Sequence, residues 1–259
     1  METSAARQPS WQPAQYLKFS EERTRPCRDL VARIDLSTPR RVIDLGCGPG
    51  NSTEILAERW PAAELTGFDS SPEMIAAARK AHPDWRWTAS DIAQWAATAD
   101  EPYDLVFSNA ALQWVSDHAA VFPQLLARGR VFAMQIPGNW DGPAHRIMRE
   151  VAKQYPLEGR VREWFSHDAA FYYDALAPHA ARLDLWETEY LHIMDSAEAI
   201  VEWYKGTGMR PFLNALVSDA ERARFTADYL EAIRAEYTPQ SDGKVLFPFR
   251  RIFAIAYNR

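Results

Sequence analysis

Val42-Ile43-Asp44-Leu45-Gly46-Cys47-Gly48-Pro49-Gly50-Asn51 decides how this chain folds. A β-branched, apolar run ends in glycines at alternate positions, and Ser52-Thr53-Glu54-Ile55-Leu56-Ala57 opens a helical pattern directly behind it. A strand, a tight turn and a helix N-terminus in that order bring bare backbone up to a nucleotide-like ligand, closer than any Cβ would permit. The spacing narrows the choice of ligand. A dinucleotide fingerprint, G-x-G-x-x-G, needs its third glycine at position 51, where this chain has Asn51. The glycines here run G-x-G-x-G, and Asp44 stands two residues before the first of them.

Outward from this loop the chain alternates strands and helices. Strands are predicted at 41–45, 63–68 (ending at Asp69), 85–89 (closed by Ser90-Asp91-Ile92), 103–108 and 130–136 (stopped by Pro137-Gly138). Helices are predicted at 52–59, from Ser71-Pro72-Glu73 to about 82, and within 115–127. The fourth strand is apolar enough for burial on both faces, as parallel strands are. Short connections and right-handed crossovers then predict a doubly wound sheet. Ahead of it, 11–36 reads as one or two helices interrupted around Pro26. After 140 the rhythm breaks. A helix is predicted at 143–155, an aromatic helical stretch at 160–180, a long sixth strand at 182–194, helices at 197–203 and 219–237, and a final strand at 246–257. With no repeat and no low-complexity linker, the expectation is a single domain over 1–259. Its N-terminal helices lie at 11–36, and helical insertions at about 141–180 and 197–240 form a cap.

Composition excludes several classes. An apolar content of 47% argues against disorder, and a net charge of −6 gives no general affinity for nucleic-acid phosphate. Two cysteines, Cys27 and Cys47, with no C-x-x-C, argue against a disulfide framework and a zinc site. No signal peptide and no membrane-length apolar run is present, so a cytoplasmic protein with no membrane partner is expected. Of the basic residues 24 are Arg and five are Lys. Arginine's planar fork suits carboxylates, although codon bias supplies the same excess.

In open α/β sheets ligands bind at the carboxyl ends of strands. The first end carries the glycine loop. The second carries Asp69, 19 residues after Gly50, where an acid accepts hydrogen bonds from ribose hydroxyls. The third carries Asp91-Ile92, the fourth Ser108-Asn109-Ala110-Ala111-Leu112-Gln113-Trp114. Taken in order, these motifs resemble the class I S-adenosylmethionine-dependent methyltransferases. The resemblance implies an α/β, doubly wound, mostly parallel seven-stranded Rossmann-like sheet with an antiparallel last strand and a helical cap. It also implies S-adenosyl-L-methionine as cofactor, with Asp44, Gly46, Cys47, Gly48, Gly50, Asn51, Asp69, Ser70, Met74, Asp91, Ile92, Asn109 and Ala110 around it. Asp91 would face the adenine amino group and Ile92 the ring. Cys47 reads as a small filler rather than a nucleophile.

Three further blocks carry a narrower resemblance. Trp11-Gln12-Pro13-Ala14-Gln15-Tyr16-Leu17-Lys18-Phe19 with Glu22-Arg23-Thr24-Arg25-Pro26, Glu202-Trp203-Tyr204-Lys205-Gly206-Thr207-Gly208-Met209-Arg210-Pro211-Phe212-Leu213, and Leu246-Phe247-Pro248-Phe249-Arg250-Arg251-Ile252-Phe253 are similar to the trans-aconitate methyltransferase family. That resemblance implies esterification of one carboxylate of a small polycarboxylate. A carboxylate is ionised at pH 7 and the sulfonium is an activated leaving group, so no general base, no catalytic acid–base pair and no metal is expected. Positioning and exclusion of water supply the acceleration. The substrate-binding candidates are Arg210, Tyr16, Arg23, Arg25, Arg251 and Lys205, with Gln113 and Trp114 as the wall between cofactor and substrate. Competing expectations are a methyltransferase for another small acid or acyl thioester, an NAD-dependent oxidoreductase, and a non-catalytic cofactor-binding protein.

Overall fold

The computed structural model describes residues 20–161 and 166–259. Its strands are β1 (Arg41–Leu45), β2 (Glu64–Asp69), β3 (Arg86–Ala89), β4 (Tyr103–Asn109), β5 (Gly129–Pro137), β6 (Ala180–Met194) and β7 (Val245–Asn258). The helices are α1 (Ser20–Arg33), α2 (Asn51–Arg59), α3 (Pro72–Ala81), α4 (Ile92–Thr98), α5 (His118–Ala127), α6 (Pro143–Ala152), α7 (Ala169–Leu176), α8 (Ala197–Lys205), α9 (Arg210–Ala215) and α10 (Asp219–Glu236). A 3₁₀ turn at Leu112–Trp114 follows β4.

The sheet grows outward from β1, whose Val42 to Leu45 are all buried. β2 and β4 flank it in parallel, β3 extends β2, and β5 extends β4. β7 then pairs antiparallel with β5, and the order is β3-β2-β1-β4-β5-β7-β6, the seven-stranded sheet the sequence implies. Strand order reverses between β1 and β4, which puts the ligand crevice at their carboxyl ends. Both faces are covered. Val42, Leu105, Phe107, Val131, Ala133 and Phe253 face Cys27, Leu30 and Val31 of α1 and Ile55 and Leu56 of α2. Ile43, Leu45, Val106, Phe132 and Ile252 face Ala96 of α4, Phe122 and Leu125 of α5, and Tyr172 and Leu176 of α7.

Four sequence expectations are corrected. The break at Pro26 is absent, since α1 runs through it. A proline in a helix interior costs about 3 kcal/mol, whereas burying Leu30 and Val31 returns about 1.5–3 kcal/mol for each side chain, so packing overrides the lost bond. Among the described residues of 160–180 the helix covers Ala169–Leu176, with β6 already under way at Ala180. A further helix, α4, begins directly at Asp91, whose Oδ1 accepts from the Gln94 amide at 3.0 Å. Arg210, which the glycines ahead of it and the proline behind it predict to lie in a turn, is instead at the start of α9, because Pro211 pre-sets φ for the first helical turn.

The described chain falls into two compact units. One is the sheet unit, 20–140, 166–191 and 248–259; the other, 141–161 and 192–247, is mostly helical. Within the helical unit α10 is held by a capping box between Ser218 and Glu221, and buries Phe225, Tyr229 and Ile233. Tyr229 donates to the Ala144 carbonyl at 3.2 Å, and Tyr155 to Asp228 Oδ2 at 2.6 Å. Among the described residues no helix is long and apolar enough to cross a membrane, and no group of His, Cys, Asp and Glu is placed to hold a metal.

Candidate active site

The glycine loop turns because three residues adopt φ values that disfavour a side chain: Gly46 at +76°, Gly48 at +56° and Gly50 at +107°. The reasons differ. A Cβ on Gly46 would meet the Cβ of Ala111 at 2.0 Å, so glycine there admits the neighbouring loop. A Cβ on Gly48 would meet nothing within 4 Å, so the space beside it is open to a ligand. The Gly46 and Cys47 amides both donate to the Phe68 carbonyl, at 2.6 and 3.0 Å, tying the loop to β2.

Asp44 is fully buried at the end of β1. Its Oδ2 accepts from Ser52 Oγ at 2.6 Å and Thr53 Oγ1 at 2.7 Å, both from the first turn of α2. Its Oδ1 is buried and has no partner among the described residues. Burial pushes its pKa up to about 6, more than the two hydroxyls pull it down. Asp69 ends β2 and accepts from the Gly48 amide at 2.9 Å and the Ser71 amide at 2.8 Å, fastening the loop to the start of α3. Burial raises its pKa too, against those amide bonds. Ser70 beside it is exposed, and Met74, whose amide is capped by Ser71 Oγ at 3.3 Å, is buried. Asn51 begins α2 half-buried. Cys47 is buried, and burial with Asp44 and Asp69 nearby drives its thiol pKa well upward.

Asp91 is exposed and caps α4; Ile92 is buried near Gly46. At the end of β4, Asn109 Oδ1 is buried without a partner among the described residues. Ala110 adopts φ +54°, held by its amide donating to the Gln135 carbonyl at 2.9 Å and its carbonyl accepting from Gln113 Nε2 at 2.7 Å. A left-handed alanine costs about 1 kcal/mol and persists only where its surroundings determine it. The turn carrying Gln113 and Trp114 is fixed from behind by His118. Its Nε2 donates to the Leu112 carbonyl at 2.9 Å, and its Nδ1 accepts from the Tyr172 hydroxyl at 3.2 Å. Burial lowers the His118 pKa and keeps the ring neutral, as that pattern needs.

All the cofactor candidates therefore gather at the carboxyl ends of β1 to β4 within the sheet unit. Of the substrate candidates, Arg23, Arg25, Gln113, Trp114 and Arg251 lie in the same unit. Arg23 and Arg251 are buried, and Arg25 sits over the Tyr190 ring at 5.2 Å. Arg210 and Lys205 belong to the helical unit, Arg210 half-buried with its pKa lowered by burial, Lys205 paired with Glu202 at 2.6 Å. Tyr16 lies outside the described residues. Sequence reasoning missed Ser52 and Thr53, although two hydroxyls directly behind a glycine loop were a signal. It also missed Gln135, the one polar side chain between Val131 and Pro137.

A family model described as a methyltransferase domain matches residues 42–128. That match spans the glycine loop and the first four strands of the sheet, and so defines this part of the sheet unit as a methyltransferase domain. A protein named trans-aconitate 2-methyltransferase, from Azoarcus sp. (strain BH72), is 50% identical over 253 residues, covering 96% of this chain and 99% of its own. The chain belongs to the trans-aconitate 2-methyltransferase family. Among solved structures it is similar to the YcgJ protein of Bacillus subtilis, with a TM-score of 0.60 at 12% identity over 91% of this chain and 99% of that one. It is also similar to phosphoethanolamine N-methyltransferase 2 of Haemonchus contortus, solved with phosphomonomethylethanolamine and S-adenosylhomocysteine. There the TM-score is 0.56 at 14% identity, over 91% of this chain and 53% of that one. At such identities these likenesses show the fold alone.

Proposed function

We propose that this chain transfers the methyl group of S-adenosyl-L-methionine to one carboxylate of trans-aconitate, giving the monomethyl ester and S-adenosylhomocysteine. The observation that carries this is the 50% identity, over nearly the whole chain, to a protein bearing that enzyme's name. The residues at the strand ends fit the cofactor: the open cradle at Gly48 and the unpartnered Oδ1 of Asp44 suit a cationic ligand with N–H donors. Asp69 is assigned to the ribose hydroxyls, with Ser70 and Met74 beside it. Asp91 and Ile92 are assigned to the adenine, and Gly46 to Asn51 with Asn109 and Ala110 to the methionine part.

Bound there, S-adenosyl-L-methionine supplies a methyl group activated by its sulfonium. The chain's own task is to hold an already ionised carboxylate in line and keep water out, so no residue is assigned as a general base. Arg210, Arg23, Arg25, Arg251, Tyr16 and Lys205 are assigned to the acceptor, with Gln113 and Trp114 as the wall. The cations clamp the remote carboxylates, since one against the attacking oxygen would weaken it as a nucleophile. We assign the helices of 141–180 and 197–240 to a cap on a single catalytic domain, and the protein to the cytoplasm, without nucleic-acid or membrane partners.

The test is incubation with labelled cofactor and a panel of tricarboxylates and dicarboxylates, followed by detection of ester. Transfer to trans-aconitate is expected, and Arg210→Ala should raise KM for it far more than the cofactor Kd. Ester from another acid, with none from trans-aconitate, would change the acceptor and keep the class.

A further inference from the structure

We propose that Gln135 is a substrate-binding residue: its side-chain amide donates a hydrogen bond to a non-reacting carboxylate of the acceptor, with Arg251 setting the amide's direction. The inference rests on the function proposed above and names the residue that recognises the acceptor's charge.

Gln135 is fully buried in β5, in an otherwise apolar run from Val131 to Pro137. Its Oε1 faces Arg251 Nη1 at 3.4 Å. Guanidinium nitrogens only donate, so the oxygen must be the atom turned toward Arg251, and Nε2 points the other way. That Nε2 has no partner among the described residues. A glutamine that merely pinned Arg251 in place would leave a buried donor unmet, an arrangement that folded proteins avoid unless a ligand completes it.

Register says where the free donor lies. Gln135 is level with Asn109 on β4 and with Phe253 on β7, and Arg251 is level with Pro137. Residues level across strands share a face, and residues two apart on one strand do as well. Asn109 therefore shares its face with Phe107, which is level with Asp44. Asp44, Asn109, Gln135 and Arg251 form one polar row across the carboxyl ends of β1, β4 and β5 and the adjoining amino-terminal half of antiparallel β7. The row changes sign along its length. Its β1 and β4 half offers acceptors without a partner among the described residues, Asp44 Oδ1 and Asn109 Oδ1; its β5 and β7 half carries the Gln135 Nε2 donor and the positive charge of Arg251. The acceptor half suits a cationic cofactor and the donor half an anionic acceptor, lined up on one side of the sheet. Buried Arg23, one turn ahead of Cys27 on the face of α1 that packs on this side, adds a second cation.

Two substitutions separate the outcomes. Gln135→Glu keeps the shape and strengthens the pairing with Arg251, yet turns the free donor into a negative acceptor. Gln135→Met keeps the volume and removes the hydrogen bond. For trans-aconitate we expect KM to rise about 100-fold in Q135E and about tenfold in Q135M. Cofactor Kd should stay within about threefold of wild type in both, and the Tm of Q135E should not fall. Wild-type turnover with Q135E within about threefold in KM would overturn the inference alone; should Q135E fail to fold, the same criterion applies to Q135M. Equal losses in cofactor affinity and KM would also overturn it, by moving Gln135 to the cofactor. No ester from wild-type protein with any polycarboxylate would overturn the proposed function, and this inference with it.

Discussion

Asp44 gives one carboxylate oxygen to the fold and leaves the other buried without a partner among the described residues. With its pKa near 6 against an ordinary value near 4, holding it ionised in the free protein costs about 3 kcal/mol. The sign follows from the upward shift: its contribution to stability is fully present below about pH 4 and lost as pH rises through about 6. A cationic cofactor reverses the preference, because it favours the carboxylate. Cofactor affinity should therefore rise about tenfold per pH unit between about pH 4.5 and 6, then level off. Asp44→Asn should bind more weakly with a flat profile, and should lose the acid-side gain in melting temperature. Calorimetry and thermal melts from pH 4.5 to 7.5 check this, and a wild-type profile with no bend near 6 would remove Asp44 from the role. The position and acidity of Asp44 were legible in the sequence. Its hydroxyl partners were not, because Ser52 and Thr53 read equally well as ordinary first-turn helix residues.

The element that holds Asp44 in place, the loop from Gly46 to Gly50, contains glycines of two kinds. Gly46→Ala forces a Cβ into Ala111 at a positive φ and should cost several kcal/mol, seen as a large fall in Tm with or without cofactor. Gly48→Ala meets no atom of the protein and pays only the backbone cost, about 1–2 kcal/mol. It should fold, yet bind S-adenosyl-L-methionine at least tenfold more weakly, because the new methyl group stands where the ligand belongs. Equal cofactor affinity in G48A and wild type would place the ligand elsewhere. Glycine spacing on its own could not tell these two roles apart, since one depends on a residue 65 positions away. The same limit explains the unforeseen α4: its cap at Asp91 lies on a residue that also suits adenine, and a strand-end acid satisfies both descriptions.

Across the whole molecule, the sheet order follows from the β–α alternation up to Pro137, and the five strands of that half were legible, although α4 and the continuous α1 were not. Past Pro137 the last two strands and the helices Pro143–Ala152, Ala197–Lys205 and Asp219–Glu236 were legible one by one, but the gathering of 141–161 and 192–247 into a separate unit was not, because its helices are held by aromatic packing rather than by a repeating strand pattern. Hydrogen exchange should report the two units separately. Cofactor alone is expected to slow exchange in 42–54, 66–74 and 106–116 and to leave 219–236 at its free rate. Trans-aconitate added with S-adenosylhomocysteine should then slow 197–215 as well; no change there would argue against Arg210 and Lys205 as acceptor contacts and against the cap.

One consequence follows from Cys47. A thiolate is a better methyl acceptor than any carboxylate, and this one sits in the loop assigned to the methyl donor. An ordinary exposed cysteine carries a standing fraction of thiolate at neutral pH, and a thiolate is open to methylation. Burial together with the negative charges of Asp44 and Asp69 keeps the sulfur protonated, and a protonated thiol does not attack. The acids that prepare the loop for a cation thus also shield the catalyst from its own reagent.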